Sequence, residues 1–333
     1  MIPGRAAFLY MPSGPWYPVL QETKEQEGKR MMERTAIIGM GALGLLYGDQ
    51  IASAKGPEGV SFVMDRERYE KYKDTVFDCN GRERTFRMEC CEDAAPADLV
   101  IVAVKYNGLA GALDTMKNCV GENTVILSVM NGISSEKIIG ERYGHGRLID
   151  TVAQGMDAMK FGSKLTYTKM GELRIGAEDA SQKENLEQVA AYFDEIKMPY
   201  TAEEDILRRL WGKFMLNVGV NQTCMAFETN YGGALEEGSR AHETMLAAMR
   251  EVIALAGAEG IRLTEEDLEE YIAILRTLSP EGMPSMRQDA VSRRPSEVEM
   301  FAGTVIPMAE RHGIPVPANR FLYEKIKEIE ASY

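Results

Sequence analysis

Three polar side chains recur at every fourth position within the most apolar stretch of the chain. The segment 210–227 (LWGKFMLNVGVNQTCMAF) has a single formal charge, Lys213, followed by Asn217 and Asn221. Because four residues turn an α-helix by about 400°, the three side chains form one stripe on a predicted buried helix. Burial shifts the pKa of a lysine toward neutrality, which makes Lys213 a candidate proton donor. Hydrogen bonding between helices is the structural alternative, and we favour a stripe that lines a ligand cleft.

A second candidate is a glycine-rich segment with the spacing G-x-G-x-x-G, between a predicted strand and a predicted helix. In this context the first glycine permits a tight turn, the second lets the backbone approach a diphosphate, and the third lets the helix pack on the strand. We therefore predict a dinucleotide site here, and glycines that only mark a turn are the alternative. The predicted cofactor-binding residues of the turn are Gly39, Met40, Gly41, Ala42, Leu43 and Gly44.

Polar residues that follow predicted strands extend this site, because ligands of open α/β sheets bind beyond the carboxyl ends of the strands. Arg66 follows the second strand, where the ribose binds, and favours the 2′-phosphate of NADPH, whereas the neighbouring Asp65 suits the free hydroxyl of NADH. Lys105 and Asn131 follow the next two apolar runs and should point toward the cofactor. A solvated charge at a strand end and an ordinary Asn-Gly turn are the alternatives for these two. Hydride transfer from a nicotinamide to a ketone would need a proton donor such as Lys213.

The elements that must position these residues change character near residue 200. Before it, apolar runs such as LVIVAV and VILSV alternate with helical segments, which is typical of parallel strands buried on both faces. We therefore predict an α/β fold, with a Rossmann-type doubly wound sheet domain at 34–200 that binds NADP and an all-α substrate and catalytic domain at 201–333. The predicted later helices are 203–228, 235–258, 264–278, 294–312 and 318–331.

Composition restricts the partners and the cellular location. With 51 acidic and 38 basic residues, the net charge of −13 disfavours nucleic acid and anionic membranes as partners. Five cysteines without a CxxC pair and three scattered histidines predict neither a disulfide framework nor a metal site, and favour a cytoplasmic protein. Residues 1–33 contain an apolar run of only six residues, too short for a secretory signal, and are predicted to be a flexible extension.

The motifs of the chain, taken in order, resemble those of the ketopantoate reductase (2-dehydropantoate 2-reductase) family. The resemblance covers about 300 residues, from residue 34 to the C-terminus. Its Lys-x₃-Asn-x₃-Asn pattern, together with Ser-Met-x-Gln-Asp and Ser-Glu-x-Glu, is far more specific than the glycine motif. The matching segments are GMGALG at 39–44, VKYNGLAGAL at 104–113, MNG at 130–132, LWGKFMLNVGVN at 210–221, SMRQD at 285–289 and SEVE at 296–299.

This resemblance implies NADPH-dependent reduction of 2-dehydropantoate to (R)-pantoate, on the route to pantothenate and coenzyme A. It also implies a C-terminal domain like that of 6-phosphogluconate dehydrogenase. By the same resemblance, Lys213 donates the proton and Glu297 orients donor and substrate. Asp289 matches an acidic position that supports the contact residues without touching the substrate itself. The positions that match substrate-binding residues are Asn131, Asn217, Asn221 and Ser285, and those that match positions near the cofactor and the reacting centre are Lys105 and Asn131.

Two other functions stay open at this point: a related dehydrogenase for another small 2-oxo or 3-hydroxy acid, and a non-catalytic sensor that binds NADP. The intact polar stripe and Glu297 argue against a sensor, since a sensor needs no proton donor. Because cofactor and substrate are both anions, we expect Lys105, Lys213 and Arg66 to form a positive cleft in an otherwise acidic molecule. The sequence leaves the oligomeric state open, with a homodimer as one option.

Overall fold

An eight-stranded sheet forms the centre of the first two thirds of the chain. The structure, a computed structural model, describes residues 31–333, which form one compact unit. With strands numbered in chain order, the sheet runs β12 (Tyr200–Ala202), β11 (Glu172–Gly176), β8 (Leu148–Gln154), β7 (Val120–Ser128), β6 (Ala97–Val102), β1 (Thr35–Ile38), β2 (Val60–Met64) and β5 (Arg87–Cys90).

The strand directions match a Rossmann-type sheet with an irregular edge. All neighbouring pairs from β5 to β8 are parallel, β11 runs antiparallel to β8, and β12 is parallel to β11. Every residue of β1 and β2 is buried, which fits their mainly apolar sequences, TAII and VSFVM. The predicted fold class is confirmed. The helices of this part are α1 (Ala42–Lys55), α2 (Arg66–Tyr72), α3 (Leu109–Thr115), α4 (Ser135–Tyr143) and α5 (Lys183–Glu195).

A second, four-stranded sheet packs beside α1. Its order is β4 (Arg82–Arg84), β3 (Phe77–Cys79), β10 (Lys164–Thr166) and β9 (Met159–Phe161). Asp49 of α1 is buried and accepts hydrogen bonds from Arg82 at 2.7 Å and Arg84 at 2.6 Å. A buried carboxylate paired with two guanidinium groups is tightly positioned, so this small sheet is tied to α1.

The remaining chain is helical and surrounds one central helix. The helices are α6 (Ile206–Ala226), α7 (Tyr231–Ala234), α8 (Arg240–Ala258), α9 (Glu265–Arg276), α10 (Ser285–Val291), α11 (Ala302–His312) and α12 (Pro317–Glu330). Helix α6 packs against α8, α10 and α12 on one side and against β8 and β11 on the other. The apolar segment chosen from the sequence is therefore a core helix that touches both the sheet and the helices. No helix within residues 31–333 combines the length and apolar character needed to span a bilayer.

Three details differ from the sequence predictions. The helix predicted from residue 294 begins at Ala302, because residues 298–301 form turns ahead of it, with Met300 donating to the carbonyl of Glu297. Helix α10 is not predicted from the sequence, because the prolines around it are typical of a loop. Most of the predicted flexible extension lies outside the described residues, but Met32 is buried in the sheet core, so the folded part begins before Arg34. The division into domains near residue 200 stays a prediction.

Candidate functional site

The turn between β1 and α1 is shaped to hold an anion against the backbone. Gly39 has φ of 109°, and a Cβ atom there would lie 2.4 Å from the carbonyl oxygen of Ala103. A Cβ on Gly44 would lie 2.0 Å from the carbonyl oxygen of Gly39, so α1 packs directly on the turn. At Gly41, the N-cap of α1, the nearest such neighbour is 3.9 Å away, and no described side chain caps the helix. The first amide groups of α1 are therefore available to an anion.

Lys213 lies at the centre of a hydrogen-bond chain that joins α6 to the sheet. Its Nζ donates to Oδ1 of Asn131 at 2.9 Å and to the carbonyl oxygen of Ala153 at 2.6 Å. Asn131, in the loop after β7, donates through Nδ2 to Oε2 of Glu297 at 3.2 Å. Glu297 lies in the turn before α11. Lys213 and Asn131, selected from the sequence pattern, and Glu297, indicated by the family resemblance, thus meet in one place.

Burial and neighbouring carboxylates act on Lys213 in opposite directions. Burial lowers its pKa to about 8, while the negative charges of Glu297 and Glu136 raise it. Burial likewise raises the pKa of the Glu297 carboxyl, against the hydrogen bond from Asn131 and the positive charge of Lys105. Lys213 can therefore gain and lose a proton close to neutral pH.

The other two members of the stripe join α6 to α10. Asn221 donates through Nδ2 to Oδ1 of Asn217 at 3.1 Å. The Oδ1 of Asn221 accepts hydrogen bonds from Oγ of Ser285 at 3.0 Å and from the backbone of Met286 at 3.3 Å. Hydrogen bonding between helices, the structural alternative for the stripe, is thus present at Asn221. Lys213 instead points toward the strand ends.

Two of the candidate cations have close acidic partners. Nζ of Lys105 lies 2.9 Å from Oδ2 of Asp289. Arg66, at the start of α2, pairs with Glu92 at 2.5 Å and with Asp93 at 3.2 Å. Both charges therefore have carboxylate partners, and Asp289 also pairs with Arg294 at 3.0 Å. The expectation of a positive cleft stays a prediction.

One residue that the sequence did not indicate lies at the glycine-rich turn. Lys160, in β9, donates through Nζ to the carbonyl oxygen of Met40 at 2.7 Å. It belongs to no motif, and only the packing of the small sheet on α1 brings it there. Strand β2 leads directly into α2, which Asp65 caps by accepting from the backbone of Arg68 at 2.8 Å.

A separate cavity of about 280 Å³ lies between α4, β8 and α6, and acidic groups line it. Asp150, on β8, is fully buried, and burial together with the neighbouring charges of Glu136 and Glu178 raises its pKa. Burial raises the pKa of Glu136 to about 7. These carboxyl groups therefore hold protons at higher pH than ordinary acids do.

Comparison with known proteins gives matches along nearly the whole described chain. Residues 35–179 match the family model described as "Ketopantoate reductase PanE/ApbA", and residues 205–330 match "Ketopantoate reductase PanE/ApbA C terminal". The 2-dehydropantoate 2-reductase of Halobacterium salinarum is 29% identical over 307 residues, covering 88% of this chain and 98% of that protein. The enzyme of the same name from Streptococcus pyogenes serotype M3 is 26% identical, with 89% and 97% covered.

Solved structures show the same architecture. A ketopantoate reductase of this family from Ralstonia eutropha JMP134 superposes with a TM-score of 0.76 at 25% identity, covering 90% of this chain and 99% of that one. D-mandelate dehydrogenase in complex with NADH gives a TM-score of 0.80 at 20% identity, again over 90% and 99% of the two chains. The second similarity concerns the fold alone.

Proposed function

Because the chain belongs to the ketopantoate reductase family, and so to the oxidoreductases, we propose that it reduces 2-dehydropantoate to (R)-pantoate with NADPH. This reaction would supply the route to pantothenate and coenzyme A. The observation that carries the proposal is the hydrogen-bond chain from Lys213 through Asn131 to Glu297, since it places a lysine of lowered pKa at the strand ends where a cofactor would bind.

The glycine-rich turn fits a nicotinamide dinucleotide, because the N-terminus of α1 offers free amide groups and space above Gly41. When bound, the reduced nicotinamide supplies a hydride. We assign the diphosphate to residues 39–44, and Lys105 and Asn131 to the nicotinamide end. Arg66 is assigned to the adenosine end, where binding of a phosphate would compete with its two carboxylate partners.

Lys213 is positioned for proton transfer by the acceptors around it. An ammonium group has three hydrogens, and Asn131 and Ala153 accept two of them. The third is free to point at a substrate oxygen, where negative charge develops as a ketone is reduced. By accepting from Nδ2 of Asn131, Glu297 keeps Oδ1 of that amide turned toward Lys213. Glu297 thus orients the donor through Asn131.

The carboxylate of a 2-oxo acid needs hydrogen-bond donors beside this lysine. Asn217, Asn221 and Ser285 supply amide and hydroxyl groups on adjoining faces of α6 and α10. Their mutual hydrogen bonds hold these side chains in place before substrate arrives, which reduces the entropy lost on binding. We assign them to substrate binding, with Ser285 next to the carboxylate.

The test is an NADPH oxidation assay with 2-dehydropantoate beside pyruvate, 2-oxoisovalerate and oxaloacetate. We expect the highest kcat/KM with 2-dehydropantoate. Lys213→Ala should lower kcat by orders of magnitude and leave NADPH affinity, measured by fluorescence titration, nearly unchanged. A clear preference for another acid would refute the substrate assignment, and normal turnover by the variant would refute the role of Lys213.

A further inference from the structure

Lys160 is a cation that faces the glycine-rich turn without an acidic partner. Its Nζ donates to the carbonyl oxygen of Met40 at 2.7 Å and lies 5.6 Å from the centre of the Tyr72 ring. Among residues 31–333, no carboxylate forms an ion pair with it. Since an ammonium donates three hydrogen bonds, Lys160 has capacity for a further acceptor.

The position of Lys160 is fixed by the framework of the small sheet. Strand β9 pairs with β10, where Lys160 lies opposite Leu165. The buried Asp49 of α1 binds both Arg82 and Arg84 of the same sheet. Helix α1, which anchors this sheet, also begins at the glycine-rich turn. Lys160 is therefore placed beside that turn by the fold rather than by a free loop.

The neighbours of Lys160 place it at the ribose side of the turn. Met40 lies between the first two glycines, and Tyr72 ends α2, the helix that follows the ribose-binding end of β2.

A second cation, Lys71, lies 5.3 Å from the same ring. Burial, and then the charge of Lys71, lower the pKa of Lys160. An anion bound beside Lys160 would offset the repulsion from Lys71. A cleft of about 310 Å³ beside the ring is lined by Asp65, Glu67, Arg68, Lys71 and Tyr72.

Arg66, the candidate from the sequence, is less available. Its guanidinium group is held by Glu92 and Asp93, and a phosphate would have to displace them. Lys160 has no such partner to lose. We propose that Lys160 binds the 2′-phosphate of NADPH from the small sheet and is the main residue that selects NADPH over NADH. This inference rests on the cofactor proposed above.

The experiment compares two fragments that differ only in the phosphate of interest. ADP-ribose and 2′-phospho-ADP-ribose are titrated by calorimetry into the unaltered protein and into Lys160→Met. We expect the variant to bind 2′-phospho-ADP-ribose about tenfold to a hundredfold more weakly, the usual range for a lost hydrogen bond to a charged group. Its affinity for ADP-ribose should change by less than about twofold, because that fragment lacks the phosphate.

Lys164→Met is the matched control, because Lys164 lies in the same sheet and pairs with Asp78 at 3.5 Å. It should bind both fragments normally, and Lys160→Arg should keep most of the preference for the 2′-phosphate. Equal losses of both fragments in Lys160→Met, or no loss of either, would overturn the inference. If the unaltered protein bound neither fragment, the proposed cofactor itself would be refuted. A melting temperature for each variant excludes unfolding as the cause.

Discussion

Lys213 should limit the reaction at alkaline pH, because a proton donor acts only while it carries its proton. Burial lowers the pKa of this side chain from 10.5 to about 8. With that value, about nine tenths of the lysines are protonated at pH 7 and about 3% at pH 9.5. The kcat/KM for ketone reduction should therefore fall about thirtyfold between these two pH values, whereas a lysine of ordinary pKa would lose only about a tenth.

The carboxylate of Glu297 provides a second test of this prediction. Glu297 is the strongest of the charges that raise the pKa of Lys213. Glu297→Gln removes that charge, so the decline in kcat/KM should begin at lower pH. Glu299→Gln is the matched control two residues away, since this carboxylate binds Tyr323 at 3.0 Å and Lys327 at 3.2 Å instead. Its pH profile should match that of the unaltered protein.

The measurement is a set of initial rates at saturating NADPH from pH 6 to 10, with circular dichroism to show that the protein stays folded. A kcat/KM that stays level up to pH 9.5 would refute the lowered pKa or the role of Lys213 as donor. An unchanged profile in Glu297→Gln would show that this carboxylate does not set the charge of the lysine.

The other predictions concern substrate, cofactor and stability. Asn221→Ala should raise the KM for 2-dehydropantoate about tenfold or more in initial-rate assays, since one hydrogen bond to the charged substrate is lost; a change only in the KM for NADPH would contradict our placement of the substrate. Arg66→Ala should weaken NADPH more than NADH in binding titrations, but less than Lys160→Met does, and the reverse order would contradict Lys160 as the main selector. Because burial raises the pKa of Asp150 above 3.8, the folded state keeps this proton more tightly than the unfolded chain, and stability falls as pH rises through the raised value. Asp150→Asn should therefore raise the melting temperature at pH 9 by several degrees and have a smaller effect at pH 5, and calorimetry that shows equal effects at both pH values would exclude this cause.

The first part of the fold can be predicted from sequence because its signals are local. The glycine spacing and the apolar runs LVIVAV and VILSV each form a short pattern, and most residues of the two runs lie in β6 and β7. The helix predicted from residue 294 begins only at Ala302, because the charged segment around Pro295 resembles the exposed face of a helix while residues 298–301 form turns.

The same distinction between local patterns and distant contacts applies to the residues of the candidate site. The stripe that begins at Lys213 follows from spacing within one helix. The contact between Asn131 and Glu297 joins residues 166 positions apart, and that between Lys160 and Met40 spans 120 positions. No local periodicity encodes such contacts, because they arise from the packing of separate elements. Family resemblance supplied Glu297, and nothing in the sequence supplied Lys160.

The packing of α6 on the sheet has a consequence for cutting or recombining this protein. Val152 of β8 forms a small apolar cluster with Ile206 and Leu210 of α6. Val152 lies in the part matched by the first family model, 35–179, and its two partners lie in the part matched by the second, 205–330. A fragment that ended at residue 202 would expose Val152 to water, and the complementary fragment would expose its partners on α6. A chimaera that exchanges the helical half with a relative must therefore exchange the matching face of β8 as well, or aggregation of the hybrid is the expected result.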